Sequence, residues 1–397
     1  MAIPRHRTHS GPALFSAGFR PFFLLAALWG MLSMPFWLAV FSGAVALPSD
    51  LAPWMWHAHE MIFGYAAATI AGFLLTAIPN WTGRLPLQGW PLAGLASLWI
   101  AGRLAVLLSA TLGVGVAAAV DLAFPLVFLL VVAREIIAGN NRRNLPMVVA
   151  LSFLLLGNLL VHMEAMGYGN TAELGVRIGL ATVLMLIALV GGRIIPSFTR
   201  NWLAKERPQG PLPAEADRFD LAALAVAALA LLAWAAKPDS SYAPWIELAA
   251  GAALVARLSR WRGVATMSEP LLWVLHLGYG WLAFGLMLLA INELSPLLPA
   301  TSALHALTTG AVGTMTLAVM TRATLGHTGQ ALTASRGTTA IYGLVTIAAA
   351  LRVAAPLLAG HYVAAVTAAG LAWSGAFLLF AALYGPLLLR PRGAQAA

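Results

Sequence analysis

The chain contains no cysteine. That absence excludes disulfides, thiolate-held iron–sulfur clusters, covalent c-type haem attachment and thiolate copper centres, so any metal must be held by histidine, carboxylate or methionine. Charge is scarce as well. Asp, Glu, Lys and Arg make up 9% of the 397 residues, against roughly 25% in a soluble domain, which leaves no separate soluble domain. A cleavable signal is not expected, because the basic start leads into an apolar run too long for a signal core and without a clear small-residue cleavage site.

What is present is apolar: 60% of the residues are hydrophobic. Runs of about 20 residues, enough to cross the hydrocarbon core as a helix, recur throughout. The pattern predicts an all-α integral membrane protein with twelve spans at 21–41, 55–78, 91–110, 113–133, 146–163, 174–194, 219–236, 243–260, 270–291, 301–325, 338–358 and 362–389. The whole chain, 1–397, reads as one polytopic domain: helices one to six in 1–195, a cytoplasmic linker at 196–218, and helices seven to twelve in 219–397. With the amino terminus inside, most of the 23 Lys and Arg fall at cytoplasmic positions, Lys237 falls outside, and Arg103, Arg177 and Arg352 fall within spans. This is the positive-inside pattern with both termini cytoplasmic, and it accounts for the net charge of +9 without nucleic acid as a partner.

An internal repeat is suggested by three strings that end spans four helices apart: Ile78-Pro79-Asn80-Trp81-Thr82, Ile195-Pro196-Ser197-Phe198-Thr199 and Leu325-Gly326-His327-Thr328. The second and tenth spans also align without gaps over His59/His305, Gly64/Gly310 and Thr82-Gly83/Thr328-Gly329. Such a repeat implies three four-helix units about a pseudo-threefold axis, and functional sites tend to sit at repeat interfaces.

Ionisable groups inside a membrane are expensive, and each one is a functional hypothesis. His6 and His9 lie in a basic arm and His361 in a short outer turn. His57 and His59 open the second span, His162 closes the fifth and His305 opens the tenth, which puts these four at one outer level. On a helix His57 and His59 point about 200° apart, so they share a metal only if the turn is distorted. His57 shares its face with Glu60, and a histidine beside a carboxylate fits a supported metal ligand or, equally, a proton relay. His276 and His327 mark an inner level. Arg103, Arg177 and Arg352 each need an anion, with Asp121 one candidate carboxylate. Glycines at 64, 72, 278, 280, 285, 310 and 313 leave smooth helix faces that suit either a flat ring or close helix packing.

The strings HAHEMIFGYAAATIAGFLLTAIPNWTG, LHLGYGWL and LHALTTGAVGTMTLAVMTRATLGHTGQ resemble the NnrS family, membrane proteins of the bacterial nitric-oxide response described as binding haem and copper. The resemblance covers nearly the whole chain. It implies b-type haem, copper, residence in the bacterial inner membrane and nitric oxide as ligand or substrate. It does not say which histidine holds which metal. Ligand chemistry suggests His57, His59 and His305, with His162 as fourth candidate, for the outer metal cluster, and His276 and His327 as axial candidates for haem; the division can equally be reversed. Arg103, Arg177 and Arg352 are candidate partners for propionates or carboxylates, and Glu60 and Glu164 candidate proton donors. Twelve helices in a pseudo-threefold ring resemble the haem-copper oxidases by architecture alone, since the adjacent-histidine loops of those enzymes are absent. Reduction of nitric oxide would need an electron donor, a quinol or a cytochrome. The competing readings are a twelve-helix transporter using the intramembrane histidines, and a protein that delivers haem or copper to another complex.

Overall fold

The computed structural model describes residues 11–207, 209–295 and 299–391; His6 and His9 lie outside the described residues. Among the described residues twelve long helices follow one another: α1 (Phe19–Phe41), α2 (Pro53–Thr82), α3 (Trp90–Leu107), α4 (Val114–Ala138), α5 (Leu145–Ala165), α6 (Ala172–Glu206), α7 (Arg218–Ala236), α8 (Ala243–Ser259), α9 (Pro270–Leu294), α10 (Ala300–Thr328), α11 (Arg336–Ala354) and α12 (Tyr362–Leu389). No strand occurs among the described residues. Eleven of the helical segments are long and apolar enough to cross a membrane, and the remaining one, α8, has 17 residues and a length of about 26 Å. The chain is therefore a multi-pass helical membrane protein. Helices are the expected solution, because in hydrocarbon every backbone N–H and C=O must find its partner within the segment.

The largest departure from the expected spans is in α6, which runs on through Pro196 to Glu206. Ile195, Thr199 and Leu203 recur every four residues and are buried, while the polar Ser197, Arg200, Asn201, Lys205 and Glu206 fall off that stripe, so this segment is an amphipathic extension of the span. The linker after it is correspondingly short.

Three helices share one irregularity. α2, α6 and α10 each contain a π-helical segment, at Glu60–Ala66, Ile187–Gly191 and Ala306–Gly313. These are the helices whose terminal strings resemble one another. In α2 and α10 the π segment begins directly after the aligned histidine, and both helices end at an aligned threonine followed by a left-handed glycine, Gly83 at φ 70° and Gly329 at φ 80°. π segments are rare and concentrate at functional sites.

The chain forms two compact units. The first comprises residues up to Gly179 with Ala323–Ala331 and the segment from Phe380 onward; the second comprises Leu180–Arg322 and Leu332–Leu379. Within the first, buried Arg20 donates to the carbonyls of Leu387, Leu388 and Arg390, satisfying the end of α12 where the backbone has no intrahelical donors. Within the second, α7 starts with a capping box: Asp217 accepts from the N–H of Phe219 (2.9 Å) and Asp220 (3.2 Å), and the Asp220 carboxylate accepts from the N–H of Asp217 (3.2 Å).

Arg260 donates to both oxygens of Asp217, at 3.0 and 2.6 Å, and holds that carboxyl well below the usual range. A depressed folded-state pKa stabilises above the unfolded value, near 3.9, and that contribution is lost as pH falls below it. Asp217→Asn is accordingly expected to lower Tm at neutral pH and to converge with the parent protein in strong acid. Thermal scans across pH check this; a gap that stays constant into acid would exclude the ion pair as its source.

Candidate metal centre

The first unit brings together six polar side chains from four helices: His59 and Glu60 of α2, Arg103 of α3, Asp121 of α4, and Asn158 and His162 of α5. All are buried; His59 and Glu60 are 0% exposed and Asp121 and His162 are 1% exposed. Pro53 starts α2 where an unpaired N–H would otherwise stand, and His59 and Glu60 straddle the junction between its first α turns and the π segment. Gly102 allows the close approach of α3 to α4: a Cβ there would stand 2.8 Å from Asp121 Oδ1. Gly157 does the same for α5 against the start of α6, where a Cβ would meet the Gly175 carbonyl at 2.6 Å.

Asp121 is the hub. Its Oδ1 accepts from Arg103 Nη2, while its Oδ2 accepts from Asn158 Nδ2 at 2.8 Å and faces His59 Nε2 at 3.1 Å and His162 Nε2 at 2.9 Å. His59 Nε2 also lies 2.8 Å from Asn158 Oδ1, and His59 Nδ1 meets Glu60 Oε1 at 3.0 Å. Arg103 Nη1 donates to both Glu60 oxygens at 2.8 Å. Trp99 donates to the Gly64 carbonyl inside the π segment at 3.1 Å, and the Arg103 guanidinium lies against Gly64 itself, where a Cβ would be 2.9 Å from Nη1.

Charge and hydrogen bonds are balanced in a way that suits a metal. Two carboxylates face one permanent cation, and both ring nitrogens of His59 face oxygen acceptors. That environment is satisfied either by a doubly protonated imidazole or by a ring that donates from Nδ1 to Glu60 and gives its Nε2 lone pair to a cation. Ligand atoms of His59, Asp121 and His162 all lie within 4.8 Å of one another. Around a tetrahedral ion with bonds near 2.0 Å, ligand atoms stand about 3.3 Å apart, so the observed separations accommodate one with small rotations.

The other sequence candidates lie elsewhere. His57 turns away from His59 and stacks on Trp37, ring centroids 4.5 Å apart and planes 12° apart. Glu164 accepts from the N–H of Ala172 at the start of α6 (2.7 Å), and Arg177 pairs with Glu173 at 3.4 Å. His327, also in the first unit, is exposed and packs against Phe19 at 5.4 Å. His276, His305 and Arg352 belong to the second unit. His276 Nε2 bonds Thr199 Oγ1 at 3.0 Å, and its buried Nδ1, without a hydrogen-bond partner, faces Gly263. His305 Nδ1 donates to the Thr301 carbonyl at 2.7 Å, and Arg352 Nη1 is buried without a hydrogen-bond partner. Of the two uses open to the glycine faces, these follow close packing by the chain's own side chains: Phe23 lies on Gly72, Leu307 on Gly285, Trp281 on Gly310 and Trp373 on Gly313.

Asp121 entered the sequence reading only as a partner for arginine, and Asn158 not at all. A usable signal was there: Asn158 and His162 are four residues apart, on one face of an otherwise apolar span.

Fold and site together define a polytopic helical membrane protein with a buried histidine–carboxylate cluster able to serve as a metal-ligand set. Residues 13–392 match the family described as NnrS protein, and the chain belongs to that family. No curated protein matches it.

Because Glu60 fixes the tautomer and orientation of His59, Glu60→Gln is expected to weaken metal binding 10- to 100-fold without removing a ligand. Chelator competition on the purified protein measures this. An unchanged affinity would show that His59 does not reach the metal through Nε2.

Proposed function

We propose that this chain is a copper- and haem-binding protein of the nitric-oxide response, placed in the bacterial cytoplasmic membrane with both termini cytoplasmic. The observation that carries the reading is the buried His59–Asp121–His162 cluster, with Glu60, Arg103 and Asn158 as its supporting shell.

The donor set fits copper. Two imidazoles and a carboxylate suit divalent copper, which heads the affinity order for nitrogen and oxygen ligands. The second unit offers residues that fit haem by their chemistry. His305 donates Nδ1–H to a backbone carbonyl, the bond that leaves Nε2 as the lone-pair nitrogen, as in many metal-ligating histidines. The carboxylates of haem need cations, and α11, which packs against the start of α10, carries Arg352 with its unpartnered Nη1. His305 and Arg352 would hold haem, and His59, Asp121 and His162 would hold copper. When bound, these groups supply redox-active sites for a diatomic gas.

The chain's own residues do the positioning. Arg103 pairs with Glu60 and Asp121 together and so holds both carboxylates in fixed orientation within the buried cluster. Glu60, held by Arg103, orients the imidazole of His59. Turnover of nitric oxide would draw electrons from a quinol or a cytochrome, so binding is the primary reading and reduction its extension.

The test is iron and copper analysis of the detergent-purified protein with optical spectra before and after nitric oxide. Copper lost in His59→Ala and His162→Ala, with a gas-sensitive haem band lost in His305→Ala, is the expected result. A folded protein that is colourless and metal-free when expressed with ample iron and copper would overturn it.

A further inference from the structure

The second unit contains a cavity of about 880 Å³ unrelated to the histidine–carboxylate cluster. It lies where the loop between α8 and α9 meets residues of α8 and α9 and the end of α6. The loop is seated by one close approach: Gly263 rests on the imidazole of His276, where a Cβ would come 2.8 Å from Nδ1, and Arg262 before it turns the chain in the left-handed region at φ 61°. Thr199 of α6 fixes the far side of the same ring. The walls are largely apolar, formed by Leu258, Val264, Met267, Trp273 and Leu277, and Arg207 and Arg262 add two guanidinium groups.

Two features call for a ligand. First, neither Arg207 nor Arg262 forms an ion pair among the described residues, although nearby Arg200 pairs with Glu215 and Arg260 with Asp217 and Asp220. Second, Val264 is 88% and Met267 65% exposed, in a loop that also carries Arg262. Large apolar side chains next to unpaired cations, at the end of membrane-spanning helices, match the boundary where headgroups give way to acyl chains.

We propose that this cavity is a binding site for one anionic phospholipid of the surrounding bilayer, its acyl chain against the apolar wall and its phosphate on Arg207 and Arg262. A zwitterionic lipid would cover the wall and add no net negative charge for the two cations. A small free anion would neutralise them and leave the wall bare. Only an acidic amphiphile meets both demands.

Native mass spectrometry of the detergent-purified chain titrated with phosphatidylglycerol or phosphatidylcholine tests this. The expected result is one tightly held phosphatidylglycerol per chain, bound at least ten-fold more tightly than phosphatidylcholine. Arg207→Ala with Arg262→Ala should weaken it about thirty-fold, some five-fold for each cation near an anionic lipid. Both side chains are exposed, so this variant should fold, and the double lysine variant should restore most of the affinity. Val264→Ser should weaken phosphatidylglycerol through the wall alone. Equal binding of the two lipids, or an affinity unmoved by the double alanine variant, would overturn the proposal. So would inorganic phosphate displacing the lipid at equal concentration, which would assign the arginines to a free anion.

Discussion

Asp121→Ala is expected to abolish metal binding and to destabilise the first unit by about 3–5 kcal/mol, the usual cost of removing one partner from a buried charge network. Four groups lose an acceptor at once: Arg103 Nη2, Asn158 Nδ2 and the Nε2 atoms of His59 and His162. Arg103 keeps Glu60 and His59 keeps Glu60 and Asn158, so the loss should not reach the full cost of an isolated charge. Every member of the cluster is buried, so the groups left unpaired have no bulk solvent to turn to. Asp121→Asn keeps the volume and one acceptor oxygen, and should cost less stability while losing the charge that holds a cation. Thermal unfolding in detergent, with copper counted per chain, separates the two effects. If Asp121→Ala retained its metal and melted within a degree or two of the parent, the cluster would be neither the metal site nor a structural hub.

Much of the fold was legible because hydropathy is a one-dimensional signal in a membrane protein. The runs at 219–236 and 362–389 correspond to α7 and α12 almost residue for residue, since the same transfer energy that marks them out ends them at the headgroups. The extension of α6 was not legible that way. Its polar residues looked like a linker, and only the four-residue spacing of Ile195, Thr199 and Leu203 carried the helix signal. His59, Glu60, Arg103 and His162 were all recognisable, because an ionisable group within a span stands out against its surroundings. How they group was not. His305 shares a depth with them in the linear reading but belongs to the other unit, and depth alone cannot say which helices are neighbours. Asp220 and Arg257 were overlooked for the opposite reason: they sit at the ends of spans, where charge is ordinary, yet both are buried.

That second buried network gives the other large effect. In the second unit Arg257 donates to Asp220 at 2.8 Å, to the Tyr279 hydroxyl at 2.8 Å and to the Ala188 carbonyl, within the π segment of α6, at 3.0 Å. Its guanidinium lies flat on Gly192, where a Cβ would stand 2.4 Å from both Nη atoms. The arrangement repeats the logic of the first unit, in which Arg103 lies on Gly64 and a side-chain donor takes a carbonyl of the π segment of α2. A flexible arginine could normally swing away from a new methyl group, but this one is tied at three points in a buried site. Gly192→Ala is therefore expected to cost about 3 kcal/mol, close to the cost of losing Arg257 itself. The variant Gly192→Ala with Arg257→Ala should be no less stable than Arg257→Ala alone, because the methyl group then meets no guanidinium. Asp220 would still be held by Arg260 and by the N–H of Asp217, which keeps the double variant foldable. A double-mutant cycle on thermal unfolding decides the matter. Strict additivity would mean that Gly192 serves the path of α6 rather than the seat of Arg257, and the likeness between the two arginine sites would then be one of geometry without shared energetics.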